Sequence, residues 1–198
     1  MATTLAPTQM TTREVQRALR ELGWPIEADG HFGPKTFEAV MDFQRGYAFA
    51  KLRVDGHAAE QTHEALRHAV ATGGRTSPHF RFVEFKSKGN GWIKLSRDLV
   101  LGLEEYRDLV GGPVAIVSGY RDPAHNKAVG GKPNSQHLYG NAADLDPVKP
   151  VAPVKRLQRF SGIGYQGATG LVRHVDVRHV GPNTTGGTER NPTIFRYS

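Results

Sequence analysis

Two stretches hold the residues best suited to chemistry: Ser135-x-His137-x-x-Gly140-x-Ala142-x-Asp144, and His174-x-Asp176-x-x-His179, which begins thirty residues after Asp144. The chain contains no cysteine, which removes disulfides, thiolate catalysis and cysteine-ligated zinc together, so any metal must be held by imidazole and carboxylate. Between His137 and Asp144 stand Gly140, Ala142 and Ala143, small residues that let a loop and a strand pack closely while two ligands converge. On a strand, His174 and Asp176 share a face because side chains alternate; His179, an odd number of positions further, points the other way if the strand stays regular. Two imidazoles and a carboxylate, with a fourth position open to water, form a catalytic rather than a structural zinc arrangement. On spacing alone the trio is more readily read as buried histidines that only satisfy hydrogen bonds.

The elements that must position these groups are those of an α+β domain. Ser96 is expected to cap a helical pattern, with Leu99, Leu103, Tyr106 and Val110 on one side and glycines closing it. Residues 113–121, PVAIVSGYR, read as a short β-branched strand ending at a turn, and LVRHVDV (171–177) alternates as a strand with one buried face. A small, mostly antiparallel sheet with flanking helices is expected over residues 81–198. Residues 71–80, ATGGRTSPHF, read as a linker. The tail after residue 183 is Gly/Thr-rich and then aromatic, and Ile194, Phe195 and Tyr197 are expected to pack it back onto the sheet.

Residues 1–70 carry an internal repeat. DGHFGPKTFEAV (29–40) and DGHAAEQTHEAL (55–66) share Asp-Gly-His, Thr, Glu-Ala and a closing aliphatic residue at an offset of 26. Each copy reads as an Asp-Gly turn followed by a Thr able to cap a short helix. A preceding helix opens with a Thr11-x-x-Glu14 capping box, carries Val15, Ala18, Leu19 and Leu22 as its apolar stripe, and stops at Gly23. Phe37, Val40 and Met41 are expected to line the second helix, and Ala65, Leu66, Ala69 and Val70 the third. His57, His63 and His68 are expected on the surface.

Composition bounds the function. At 38% hydrophobic and 23% charged residues the chain is globular, and no apolar run approaches the roughly 18 residues of a membrane span. The first residues lack a basic stretch followed by an apolar one, so no secretory signal is expected. The net charge of +7 is uneven: residues 1–70 hold 8 Lys+Arg against 9 Asp+Glu, and residues 71–198 hold 18 against 10. The basic half favours a polyanionic partner such as a cell wall, a membrane surface or nucleic acid. No aromatic-rich nucleic-acid signature accompanies the scattered cations, so nucleic acid is not the expected partner.

Two resemblances sharpen this reading. VQRALRELGWP…DGHFGPKTFEAVMDFQ…VDG resembles the peptidoglycan-binding domain carried by many wall hydrolases, over roughly residues 11–70. The second copy lacks counterparts of Gly33 and Pro34. The resemblance implies wall binding through the exposed loops, with Asp29, Gly30 and Phe32 in the better-matched one. The S-x-H-x-x-G-x-A-x-D stretch, with SGYRDPAHNKAVGG before it and GIGYQGATGLVRHVDVR after it, resembles the zinc D-Ala-D-Ala carboxypeptidases and related phage endolysin peptidases.

That second resemblance implies one zinc ion per chain held by His137, Asp144 and His174. It places Arg121 on the substrate carboxylate or the developing oxyanion, where a planar fork fits. Ser135 is then a residue that orients the ligand loop, and Tyr139 either donates to substrate or packs. The general base is less defined, because the places two and three residues before His174 hold Val172 and Leu171. Asp176 is the candidate, as base or as the partner fixing a histidine tautomer. His179 is its rival, in a register where His179 binds zinc and His174 assists.

Together the resemblances imply a monomeric zinc peptidase that cuts peptidoglycan at a D-Ala-D-Ala, L-Ala-D-Glu or meso-diaminopimelate bond. They suit a phage endolysin made in the host cytoplasm, released through a holin and acting at the wall without inserting in a membrane. The alternatives are a non-catalytic wall-binding protein with a hedgehog-like zinc site and a nucleic-acid binder.

Overall fold

The computed structural model of the chain describes residues 9–146, 149–178, 188 and 192–197. Three helices come first: α1 (Thr12–Glu21), α2 (Pro34–Gly46) and α3 (Glu60–Ala71). Thr11 and Glu14 form the expected capping box at the start of α1, and Val15, Ala18, Leu19 and Leu22 are buried. The two copies of the repeat share one construction. Gln16 Nε2 donates to Asp29 Oδ1, the His31 carbonyl and Thr36 Oγ1, while its Oε1 accepts from Gly30 N. Gln44 does the same for Asp55, His57, Thr62 and Gly56. Each buried glutamine thus satisfies a loop that would otherwise strand its backbone groups.

Thr36 and Thr62 therefore serve these clasps rather than capping their helices, whose N-caps are Gly33 and Ala59. Phe37, expected in the core, is exposed and rests edge-on against His57. His63, expected at the surface, is buried, and its ring accepts a long hydrogen bond from Met10 N.

Residues 71–80 pack between the two halves. Thr76, Ser77 and Phe80 are buried, Thr76 Oγ1 donates to the Gly46 carbonyl, and Ala48 N donates to the Thr76 carbonyl. The segment that follows continues the junction. Phe82 stacks on Trp24 and Phe43, Trp24 Nε1 donates to the Ile93 carbonyl at 3.1 Å, and Lys94 pairs with Glu38. One hydrophobic core runs through both halves.

The second half holds α4 (Arg97–Val110), which ends on Gly111 in the left-handed region, α5 (Pro123–Ala128) and the short α6 (Val151–Lys155). Leu99, Leu103 and Tyr106 are fully buried, as their spacing predicts. The sheet is β1 (Ile116–Ser118), β2 (Ala142–Leu145), β3 (Gly162–Gln166), β4 (Val172–Asp176) and β5 (Thr193–Tyr197), in the order β1-β2-β4-β3-β5. All pairs are antiparallel except β3 with β5, so the expected mostly antiparallel α+β fold is what forms. The tail does return to the sheet, as β5, with Phe195 packed on it and Ile194 turned outward. No helix among the described residues is long and apolar enough to cross a membrane.

Asp42, on α2, is the buried acid of the junction: Trp92 Nε1 donates to it at 2.8 Å. Burial pushes its carboxyl up to about 6, against the lowering effect of Trp92 and Lys94. A carboxyl whose folded pKa lies above its unfolded value binds more protons when folded, so stability falls as pH rises from about 4 to about 6. Asp42→Asn keeps an oxygen for the Trp92 N–H. It is expected to leave stability unchanged near pH 4 and raise it by on the order of 2 kcal/mol above pH 7, read from denaturant unfolding at the two pH values.

Candidate metal centre

The site is built along one row of the sheet. Directly paired across the strands are Ser118 with Asp144, Asp144 with His174, His174 with Gly164, and Gly164 with Phe195. A second row, two residues along, pairs Ala142 with Asp176, Asp176 with Gly162, and Gly162 with Thr193. Asp176 is thus flanked by small residues on both sides, and His174 by Gly164 on one. A Cβ at Gly162 would collide with the Asp176 carboxylate and the Arg178 guanidinium.

His137 comes from outside the sheet, on a single 3-10 turn, Gln136–Tyr139, capped by Gly140 at φ 70°. A Cβ at Gly140 would also meet the Lys94 backbone, so glycine is required there on both counts. The Gly140 carbonyl accepts from Ser96 N, which ties the ligand turn to the start of α4.

His137, Asp144 and His174 are all buried, and one donor atom from each lies within 4.8 Å of the others. His137 Nε2 is 3.2 Å from Asp144 Oδ1 and 3.3 Å from His174 Nδ1, and His174 Nδ1 is 2.9 Å from Asp144 Oδ1. Their other atoms fix the tautomers. His137 Nδ1 lies 2.6 Å from the Gly119 carbonyl, which can only accept, so Nδ1 carries the proton and Nε2 presents a lone pair. His174 Nε2 lies 3.1 Å from Asp176 Oδ2, so this nitrogen is the donor and Nδ1 presents the lone pair. Three acceptors therefore face one point. Tetrahedral ligands at about 2.0–2.2 Å from a metal stand about 3.3–3.5 Å apart, close to the spacing found. The donor set fits one zinc-sized cation.

The electrostatics agree for His137 and Asp144. Burial holds the His137 pKa below its ordinary value, which keeps the ring neutral. Burial alone would raise Asp144, but its close approach to the ring nitrogens of His137 and His174 outweighs this and holds the carboxyl far below the usual range. For His174 burial is outweighed by the carboxylates of Asp144 and Asp176, and its pKa rises.

The other expected site residues take distinct places. Arg121 donates through Nη2 to Asp144 Oδ2 and through Nε to Ser118 Oγ at 3.0 Å, and it lines the cleft above the ligands. Asp176 is fully buried and sits on the side of His174 away from the converging atoms. Its Oδ1 accepts from Arg178 Nε at 2.8 Å and its Oδ2 from Arg178 Nη2 at 2.6 Å. Burial would raise Asp176, yet Arg178 and His174 bring it down to about 2. Ser135 caps the 3-10 turn and lines the cleft, whereas Tyr139 does not line it. His179 lies outside the described residues.

Sequence reasoning missed Arg178 and the Gly119 carbonyl. Arg178 was findable, since His174, Asp176 and Arg178 follow at steps of two. In the N-terminal half Asp29 and Gly30 are engaged by Gln16, which leaves Phe32 exposed on a cavity of about 250 Å³ shared with His57 and Ala58 of the second loop.

A cleft of about 490 Å³ opens between the 129–136 loop and β5, lined by His137 and His174 of the three. Such a centre, on such a fold, is that of a metallopeptidase domain joined to a helical binding module. Residues 83–181 match the family described as Peptidase M15, and residues 10–66 match a putative peptidoglycan binding domain; the chain belongs to the Peptidase M15 family. It is similar to the zinc D-Ala-D-Ala carboxypeptidase of Streptomyces albus G, at 31% identity over 146 residues, covering 66% of this chain and 56% of that protein. The chain thus spans about half the length of the curated relative it matches.

If Asp176 fixes the His174 ring, Asp176→Ala should weaken zinc binding about ten- to a hundredfold while His174 remains in place. Competition against a chromophoric chelator reads this; unchanged affinity would mean that the ring is held by other contacts.

Proposed function

We propose that this protein is a zinc-dependent peptidoglycan peptidase of the endolysin kind, hydrolysing an amide bond in the stem peptide or cross-link of the bacterial wall. The observation that carries this reading is the convergence of three buried acceptor atoms, from His137, Asp144 and His174, beside an open cleft that His137 and His174 line. Zinc bound there would polarise the scissile carbonyl and lower the pKa of a bound water towards neutrality.

The chain's own residues have separable parts. His137 and His174 offer Nε2 and Nδ1, with the Gly119 carbonyl and Asp176 holding the opposite ring protons. Arg121 donates to Asp144 Oδ2 and presents the rest of its fork to the cleft, where a carboxylate or an oxyanion can be received. Asp176 acts through His174 as a positioning residue. Phe32, beside the cavity between the two repeat loops, is the proposed wall contact of the N-terminal half. A binding half on the same chain raises the local concentration of wall substrate.

A second reading, a zinc-holding wall-binding protein without turnover, is favoured by one observation. Asp176 is the only carboxylate among the described cleft residues, and His174 and Arg178 already engage it.

The two readings separate in one assay. The expected result is one zinc per chain and loss of turbidity of purified peptidoglycan, abolished by chelation and restored by zinc. His137→Ala should lose both the metal and the activity. Full zinc occupancy with no lysis on several wall chemotypes would favour the binding protein.

A further inference from the structure

The cleft holds more positive charge than its metal ligands use. Arg121 and Arg178 line it, and each is engaged by a buried carboxylate. Lys132 and Arg196 line it too, and among the described residues neither side chain has a salt bridge or hydrogen bond. The available acids are spent: Asp144 Oδ2 meets Arg121, and both Asp176 oxygens meet Arg178.

These two cations enter from different sides. Lys132 stands on the loop between α5 and the turn that carries His137. Arg196 stands on β5, separated from β2 by both β4 and β3. Gly167, in the turn after β3, gives the Arg196 side chain its path, since a Cβ there would collide with its Nε. Val129, 52% exposed, and Phe195 add apolar surface at the same two sides. Arg196 and Phe195 lie beyond the residues that match the peptidase family, so this wall of the cleft belongs to the chain itself. A cleft with, among the described residues, an unneutralised cation and an apolar contact at each side is complementary to a peptide with a carboxylate on each side of its midpoint.

We propose that Lys132 and Arg196 are specificity-determining residues, selecting stem peptides whose glutamate and diaminopimelate carboxylates are free over the same peptides with those carboxylates amidated. The proposal rests on the peptidase reading and narrows its substrate. The probes are a soluble stem pentapeptide, L-Ala-D-Glu-diaminopimelate-D-Ala-D-Ala, and its form amidated on the glutamate and diaminopimelate carboxyls. Zinc-loaded wild type, Lys132→Gln and Arg196→Gln are compared, with KM taken where a peptide is cut and Kd by calorimetry where it survives. Both side chains are exposed, so the variants should fold as the wild type does.

The expected result is a preference of about tenfold or more for the free-carboxylate peptide, reduced about fivefold by either substitution. High salt should reduce it as well, and values for the amidated peptide should stay unchanged. Equal affinity of the wild type for the two peptides, no measurable binding of either, or an undiminished preference in both variants would overturn the proposal. An intact, cation-dependent preference without cleavage would uphold it and overturn the peptidase reading alone.

Discussion

The register of β2, β4 and β3 is the constraint on which the site depends. Asp144 and His174 face each other across one pair of strands, and Gly164 and Gly162 flank His174 and Asp176 across the next. A slip of one residue would turn every one of these side chains to the opposite face of the sheet. The glycines and alanines are therefore as necessary as the ligands. Ala142 and Gly162 stand on either side of a fully buried carboxylate, and anything larger at Gly162 would displace Asp176 or Arg178. Burying Asp176 uncompensated would be costly, and two donors on Arg178 with one on His174 offset that cost. The same bonds fix the His174 tautomer, so the pairing of the sheet and the donor state of a ligand are one arrangement.

The two halves of the chain are joined by packing rather than by a tether. Trp24, Phe43 and Phe82 stack at the junction, Thr76 hydrogen bonds the end of α2, and Asp42 receives Trp92. The segment from Phe82 to Leu95 that packs on the helices also supports the ligand turn. Gly119, whose carbonyl holds His137, lies against the Phe85 backbone, and Gly140 lies against Lys94. Contacts that secure the helical half thus continue into the residues that orient a metal ligand. A mutation at the junction would be felt at the centre through packing, with no change in any ligand.

Much of this was legible in the sequence, for identifiable reasons. Period-two alternation in LVRHVDV put His174 and Asp176 on one face, and the small residues around Asp144 marked a close approach. The Thr11–Glu14 box and the Leu99, Leu103 and Tyr106 stripe are local signals, and they translated directly into helices. What stayed hidden depends on distant partners. Gln16 and Gln44 look like polar helix residues until the loops they clasp are folded against them. Residues 71–80 have linker composition, yet Thr76 and Phe80 are buried because α2 and the Phe82 turn close over them. Phe37 has helical core spacing, but the second repeat loop meets it at the surface, through His57 and a glycine whose Cβ would strike its ring. Arg178 continues the same alternation one step past Asp176, but its part is visible only once it folds back onto that carboxylate.

The charge asymmetry of the chain acquires a location in the same terms. A basic half is usually a statement about solubility or a polyanionic partner. Here part of that excess is concentrated where it can act on a bound peptide. The two carboxylates at the centre are each held by an arginine, so they leave no negative field in the cleft, and a bound dication would add to the positive one. Low-dielectric walls such as Val129 and Phe195 strengthen that field over a short range, while salt screens the scattered surface cations more completely. The acids are buried to hold the histidines and the cations are exposed to meet the ligand; that division makes the floor of the cleft rigid and its rim selective.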